Sequence, residues 1–258
     1  MDEMVVRAVE RAIDTMRRGL ADRLTIDDMA RSAMFSKFHF SRVFQQVTGV
    51  SPGRFLSAMR LEEAKRLLLT TSLTVADISH QVGYNSVGTF SSRFRSTVGL
   101  SPISYRQLGG STAELPADVP AGGMNRTSTV RGHVTPPPVG MAGLVFIGLF
   151  PSRMLQGSPV RCAVLDRPGP YALNDVPEGT WHVLAHSVPP GAEDSLDPIP
   201  FIGAHGPITI RPDITARIAD VSLHPMRVFD PPVLSALLDV RSAALTRRAT
   251  ATQVRRAV

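Results

Sequence analysis

Two runs of the chain, residues 36–48 and 86–98, hold the side chains best placed to do chemistry. In the first, Ser36, Lys37, Phe38, Ser41, Arg42 and Gln45 fall on one side at helical spacing. Phe40, Val43, Phe44 and Val47 fall on the other. A guanidinium can pair with N7 and O6 of guanine through two parallel hydrogen bonds, so Arg42 suits a guanine edge. An exposed Phe38 suits a thymine methyl. Lys37 and Gln45 suit phosphates or neighbouring bases. In the second run Phe90, Phe94 and Val98 form the apolar stripe. Val87, Gly88, Thr89, Ser91, Ser92, Arg93 and Arg95 occupy the remaining arc. A plainer reading stands beside this one. Lys37, Arg93 and Arg95 are also what a solvated helix face carries. Phe38 also fits a core position, and His39 fits packing or capping better than base reading.

Side chains that read a groove need elements that hold them rigidly. Met4, Val5, Ala8, Val9, Ala12, Ile13 and Met16 have helical spacing, ending at Gly19. Thr25-Ile-Asp-Asp28 starts a second helix with a hydroxyl at the N-cap and an acid three residues later. The same signature returns at Thr74-Val-Ala-Asp77. Met29 then matches Ile78, Phe35 matches Tyr84, Phe40 matches Phe90 and Phe44 matches Phe94. Gly49-Val-Ser-Pro52 matches Gly99-Leu-Ser-Pro102. So many ordered matches mark an internal duplication of a helix-turn-helix-helix unit. Each copy predicts a short helix (about 25–32 and 74–82), a turn at 33–35 or 83–85, and a second helix (36–48 and 86–98). Gly49 and Gly99 suit C-terminal caps, and Ser51-Pro52 and Ser101-Pro102 suit helix starts. Residues 52–70, with Phe55, Met59, Leu61, Ala64, Leu67 and Leu68, predict a long helix joining the copies.

The stretch SKFHFSRVFQQVTGVSPGRFLSAMRLEEAKRLLLT followed by TVADISHQVGYNSVGTFSSRFRSTVGLSPISYR resembles the DNA-binding domain of AraC/XylS-type transcriptional regulators. The resemblance rests on both Gly-x-Ser-Pro segments, the Arg-Leu-x-x-Ala start of the joining helix and the Val-Gly-Tyr turn. It implies two helix-turn-helix subdomains on a long helix, with two recognition helices placed in successive major grooves. Carried over by position, base reading falls on Phe38, Ser41 and Arg42, and on Val87, Gly88, Thr89 and Ser92. Members of the family often hold Gln or Arg at several of these places. Val87 and Gly88 have no side-chain donor, so the first helix is expected to supply most direct readout. The second is expected to hold phosphates and read methyl groups or shape. The resemblance further implies double-stranded DNA and RNA polymerase as partners, and an activator as the expected role. DNA-repair proteins that combine such helices with a methyl-accepting cysteine carry a cysteine-histidine motif that this sequence lacks.

Beyond Arg106 the composition changes. Gly109 to Gly123 is rich in Gly, Ala, Ser and Pro and reads as a linker. Seven short strands are then expected: 129–134, 143–150, 160–165, 171–174, 180–188, 208–211 and 214–223. They suggest an immunoglobulin-like β-sandwich. Residues 169–185 resemble the hairpin of a carboxypeptidase-regulatory-like or transthyretin-like sandwich, in which a strand, an Asn-x-x-Pro-x-Gly-aromatic turn and another strand follow one another. The loop 189–206 reads as a pocket cover or a surface crossover. Asp230-Pro-Pro opens an apolar helix, 233–245, before a basic tail. The expected fold is thus two-domain. An all-α domain of two helix-turn-helix units (1–108) is followed by a linker (109–127). An all-β immunoglobulin-like sandwich (128–228) and a C-terminal helix and tail (229–258) complete it.

Charge follows the same division. Residues 1–108 hold 15 Lys+Arg against 10 Asp+Glu; 109–240 hold 8 against 12; 241–258 hold five Arg and no acid. Positive charge at both ends suits a polyanion. The tail arginines could add non-specific DNA affinity, or the tail could simply solubilise the chain. A lone cysteine, Cys162, rules out an internal disulfide framework and suits a reducing compartment. It alternates with Val160 and Val164 and is expected to be buried in a strand. His182 and His186 share one strand face, but no Cys/His spacing resembles a structural zinc motif, so no metal and no cofactor are expected. Apolar runs are too short to span a bilayer, so a cytoplasmic protein without a membrane partner is expected. No acid, base and nucleophile converge after residue 126, and an enzyme is not expected. The sandwich could sense a small-molecule effector or form a homodimer. It could instead be a protein-interaction module of a constitutive regulator, or, from another class, an enzyme with a DNA-targeting head.

Overall fold

The computed structural model describes residues 3–110, 128–190 and 200–235. The described chain divides into two compact units. The first is helical. It runs α1 (Glu3–Arg18), α2 (Ile26–Ser32), α3 (Lys37–Thr48), α4 (Pro52–Thr70), α5 (Val75–Gln81), α6 (Val87–Val98) and α7 (Pro102–Gln107). Each start and stop has a local cause. Thr25 and Thr74 form full capping boxes with Asp28 and Asp77. Gly49 and Gly99 end α3 and α6 in the left-handed conformation, their N–H groups returning to Gln45 and Arg95. Pro52 and Pro102 open α4 and α7, where a missing N–H costs nothing. Ser101 caps with its side chain; Ser51 caps by backbone position alone.

The duplication is visible in the core. Phe40 meets Phe44 at 5.4 Å, and Phe44 meets Phe55 edge-on at 5.4 Å. In the second copy Phe90 meets Phe94 at 5.7 Å, and Phe94 meets Tyr105 at 5.5 Å. All six rings are buried. Val47 is half-buried rather than part of the core stripe, and Thr48 is buried beside it, its hydroxyl donating to Phe44 O. Arg60 of α4 donates to Leu20 O and Asp22 O. Arg106 of α7 donates to Leu68 O, Thr71 O and Leu73 O, satisfying carbonyls at and beyond the end of α4. Met154–Gly157 and Arg227–Ser235 also belong to this unit. Lys65 Nζ donates to Val233 O at 2.9 Å, and Gly157 N donates to Thr97 O.

The second unit is made of strands: β1 (Ser128–Thr135), β2 (Val145–Phe150), β3 (Cys162–Leu165), β4 (Pro170–Val176), β5 (Gly179–Ser187), β6 (Phe201–Ile210), β7 (Ala216–Ile218), β8 (Val221–Ser222) and β9 (His224–Pro225). One sheet has the order β4-β1-β7, with β8 also on β1. The other has the order β3-β2-β5-β6-β9. β1 runs antiparallel to β4 but parallel to β7 and β8. Both sheets contribute to one core, with Val130, Val134, Tyr171 and Leu173 from the first and Val145, Ile147, Leu149, Val183 and Ala185 from the second. Tyr171 donates its hydroxyl to Ala219 O inside this core, and burial raises its pKa.

Three expectations for the strand unit need correction. The residues 189–206 are not loop throughout: β6 begins at Phe201. Gly203, Gly206 and Pro207 disguise the strand, and the register with β5 shifts between Trp181 and Val183, opposite the Gly206-Pro207 step. A proline sits in a paired strand where the ladder is irregular. Second, the turn between Asn174 and Trp181 does not join a paired hairpin. β4 and β5 lie in different sheets, so the turn is a corner between them. Trp181 Nε1 donates to Pro177 O across that corner, and a Cβ on Gly179 would lie 2.8 Å from the Trp181 ring. Third, Cys162 is half-buried in the edge strand β3, not enclosed. Edge strands lack a neighbour on one side, which the alternation around Cys162 could not reveal. The linker residues 111–127, most of the expected C-terminal helix and the whole tail lie outside the described residues. Within 232–235 no helix is formed.

Candidate nucleic-acid interface

Helices α3 and α6 each bury one face and leave the other to solvent. Phe40, Val43 and Phe44 anchor α3; Phe90, Phe94 and Val98 anchor α6. The exposed arc of α3 carries Ser36, Lys37, Phe38, Arg42 and Gln45, with Ser41 half-buried. Phe38 is 86% exposed, which removes the core reading for this residue. A phenylalanine that free in water lowers its free energy by meeting an apolar partner. On α6, Gly88, Thr89, Ser92, Arg93 and Arg95 are exposed and Val87 is half-buried.

The polar side chains of the arc have internal contacts. Lys37 Nζ lies 3.5 Å from Asp27 Oδ2, an exposed pair joining α2 to the start of α3. Such an exposed pair contributes little to stability. Ser41 Oγ donates to Lys37 O, which commits its proton to its own helix and leaves its oxygen able to accept. Arg42 Nη2 lies 3.4 Å from His39 Nδ1, and the His39 ring stands edge-on to Phe35, 4.7 Å between centroids. Arg93 Nη1 donates to Ser57 Oγ of α4 at 3.1 Å, and Ser57 Oγ lies 3.4 Å from the Tyr84 hydroxyl. Ser86, the N-cap of α6, accepts from Thr89 N; Ser36, at the same place on α3, makes no side-chain cap bond.

Three features of this region escaped the sequence reading. Met34 sits in the first turn with φ 59° and is 76% exposed. Its counterpart in the duplication is Gly83, with φ 80°. The repeat alignment puts Met34 opposite Gly83, so the signal was present. His39 and Ser57 were not identified as partners of Arg42 and Arg93; Ser57 comes from a different helix, which periodicity within one helix cannot show.

The strand unit offers less. His182 and His186 share a face of β5 as expected, opposite Phe150 and Phe146. Burial and the neighbouring Arg153 push the His182 imidazole below its ordinary pKa. Among the described residues no group of three or more His, Cys, Asp or Glu is placed to hold a metal ion, and no helix is long and apolar enough to cross a membrane.

Residues 29–108 match the family model described as a helix-turn-helix domain. The chain is 37% identical over 87 residues to the transcriptional activator AarP of Providencia stuartii, covering 34% of this chain and 64% of that protein. It is 31% identical over 104 residues to the lactose operon transcription activator of Staphylococcus xylosus, covering 40% of this chain and 37% of that protein. The chain thus spans less than two thirds of either relative. A solved AraC-type regulator from Chromobacterium violaceum superposes with a TM-score of 0.39 at 27% identity, over 40% of this chain and 93% of that one. The AdpA DNA-binding domain, solved with a target DNA, gives a TM-score of 0.37 at 27% identity, over 42% of this chain and 93% of that one.

Proposed function

We propose that this chain is a sequence-specific DNA-binding transcriptional regulator of the AraC type, acting as an activator, that reads a site through α3 and α6. The observation that carries this reading is the exposed arc of α3. Phe38, Lys37, Arg42 and Gln45 are exposed on a helix whose other face is locked by buried phenylalanines. The match of residues 29–108 to a helix-turn-helix model and the similarity to named transcriptional activators support it. Phe38, Ser41 and Arg42 read bases from α3. Lys37, Gln45, Arg93 and Arg95 hold phosphates, with Ser36 at the start of the helix. Val87, Gly88, Thr89 and Ser92 line the second contact and read methyl groups or shape. The activator role brings RNA polymerase as a further partner.

For the strand unit we propose an immunoglobulin-like sandwich that senses a small-molecule effector or joins two copies of the chain. The chemistry needs only one copy, because a single chain carries both reading helices. We propose a cytoplasmic, non-enzymatic protein.

The test is selection of bound sites from a random duplex library at physiological salt, with the full chain and with Arg42→Ala. The expected result is a motif of two short blocks about one helical turn apart, 10–10.5 base pairs. Arg42→Ala should erase preference at one position of one block, by about 5–100-fold, the discrimination of one bidentate pair. Enrichment of no motif, despite salt-sensitive binding, would reduce the protein to a non-specific DNA binder.

A further inference from the structure

Both reading helices carry an arginine tied back to the ring that closes the preceding turn, and the two ties are built differently. In the first unit the chain of contacts runs Phe35 to His39 to Arg42. His39 packs edge-on against Phe35 at 4.7 Å and sits 3.4 Å from Arg42 Nη2. In the second it runs Tyr84 to Ser57 to Arg93, at 3.4 Å and 3.1 Å. Phe35 and Tyr84 are equivalent in the duplication, but the remaining members are not. Residue 39 corresponds to Thr89, Arg42 to Ser92, and Arg93 to Val43. The ties therefore are not two copies of one packing arrangement. Both nonetheless end on a guanidinium of the exposed arc.

We propose that His39 and Ser57 are positioning residues for DNA reading, His39 holding Arg42 and Ser57 holding Arg93. The inference rests on the proposed DNA contacts of these two arginines, Arg42 to a base and Arg93 to a phosphate. A free arginine on a helix surface samples many rotamers and loses them on docking. One held beforehand loses fewer, and its affinity rises accordingly. Each tie uses a single nitrogen of the guanidinium, leaving its other N–H groups able to reach a base or phosphate. The His39 tie requires the Nδ1 lone pair, so His39 accepts there. The turn aromatic supplies the fixed end: Phe35 by ring packing, Tyr84 by its hydroxyl.

The full chain is titrated onto a labelled duplex recovered by selection and onto its single-base variants. The proteins are the parent, H39F, S57A, S57T, R42A, R93A and the doubles. H39F keeps a ring against Phe35 and removes the acceptor. It should lower discrimination about threefold to tenfold at the base pair whose preference R42A erases, and nowhere else. H39F added to R42A should cost nothing further. S57A should weaken all duplexes about threefold, add nothing to R93A, and be restored by S57T, which keeps the oxygen. The crossed doubles, H39F with R93A and S57A with R42A, should multiply. Losses that multiply within each pair would overturn the proposal. So would an H39F loss spread evenly over all duplexes with a lowered melting midpoint, which marks a packing role. If R42A and R93A themselves bind every duplex like the parent, the DNA-reading assignment fails first, and the positioning roles with it.

Discussion

At the scale of single residues, two turn positions answer the same demand with different side chains. The turn between helices requires a left-handed residue, and only glycine adopts it without steric cost. Gly83 meets that demand in the second unit, and its site has no room to spare. A Cβ there would sit 2.4 Å from Leu20 O and 2.9 Å from the Arg60 guanidinium. Gly83→Ala is therefore expected to destabilise the helical unit by about 2–4 kcal/mol, combining strain with a backbone clash. Met34 meets the same demand at φ 59° while remaining exposed. Met34→Gly should stabilise by about 0.5–1 kcal/mol, because strain is relieved and little packing is lost. Chemical denaturation of both variants checks the pair; a destabilised Met34→Gly would mean that the methionine has a partner worth more than its strain. Lys65 provides a third residue-level test. Its residue is half-buried, but its ammonium end is enclosed, and burial lowers its pKa from 10.5 to about 8. The unfolded chain then holds the proton that the folded chain has released, so stability must rise as pH climbs from about 8. Above pH 10 Tyr171 opposes this, since its pKa is raised on folding and the unfolded chain loses that proton first. The parent should gain stability between pH 8 and 10, and Lys65→Met should flatten that rise while raising stability at pH 7. A flat parent profile would show that the ammonium is solvated.

At the scale of elements, the duplicated helices owe their limits to caps that can be removed one at a time. Thr25 and Thr74 each accept from the N–H three residues on, and Asp28 and Asp77 return the bond to the cap. Thr25→Ala and Thr74→Ala should each cost about 1 kcal/mol in chemical denaturation. Equal losses would support equivalent roles for the two boxes; a negligible loss at either would mean that tertiary packing alone holds that helix. These helices were legible because each signal is local: a hydroxyl three residues before an acid, an apolar stripe at helical spacing, a glycine after it. The exposed arc of α3 was legible for the same reason, Phe38 included. What the sequence left hidden depends on contacts between elements. Ser57 of α4 meets Arg93 of α6, and Phe55 and Tyr105 complete the two aromatic rows from outside α3 and α6. In the strand unit the pattern of alternation located most strands but not their partners. The resemblance of residues 169–185 to a sandwich hairpin made neighbours of β4 and β5, although they lie in different sheets, and the loop reading of 189–206 lost the start of β6 behind Gly203, Gly206 and Pro207. Strand pairing is set by residues far apart in sequence, so a turn signal between two strands does not say whether they join.

At the scale of the whole molecule, charge is segregated along the chain, and its use can be counted. Residues 1–108 carry a net formal excess of five positive charges, from 15 Lys+Arg against 10 Asp+Glu. On α3 and α6 the exposed cations are Lys37, Arg42, Arg93 and Arg95. A cation that neutralises a phosphate releases a counterion, and each such contact steepens the fall of log K with log salt by about 0.9. Lys37→Ala should therefore reduce that slope by about 0.9 and weaken every duplex alike. Its starting ion pair with Asp27 keeps the affinity loss small, because Lys37 gives up one anion to take another. Arg42→Ala should change the slope less and site preference more, as fits a base reader. The same measurement assigns the tail. Residues 241–258 carry five arginines and lie outside the described residues. Deleting them should leave the slope within about 1 of its parent value if the reading helices supply the phosphate contacts. A fall of about 3 or more would put several tail arginines on the DNA backbone. Sequence preference would then remain with α3 and α6, because a contact to phosphate carries no base information and cannot move the motif.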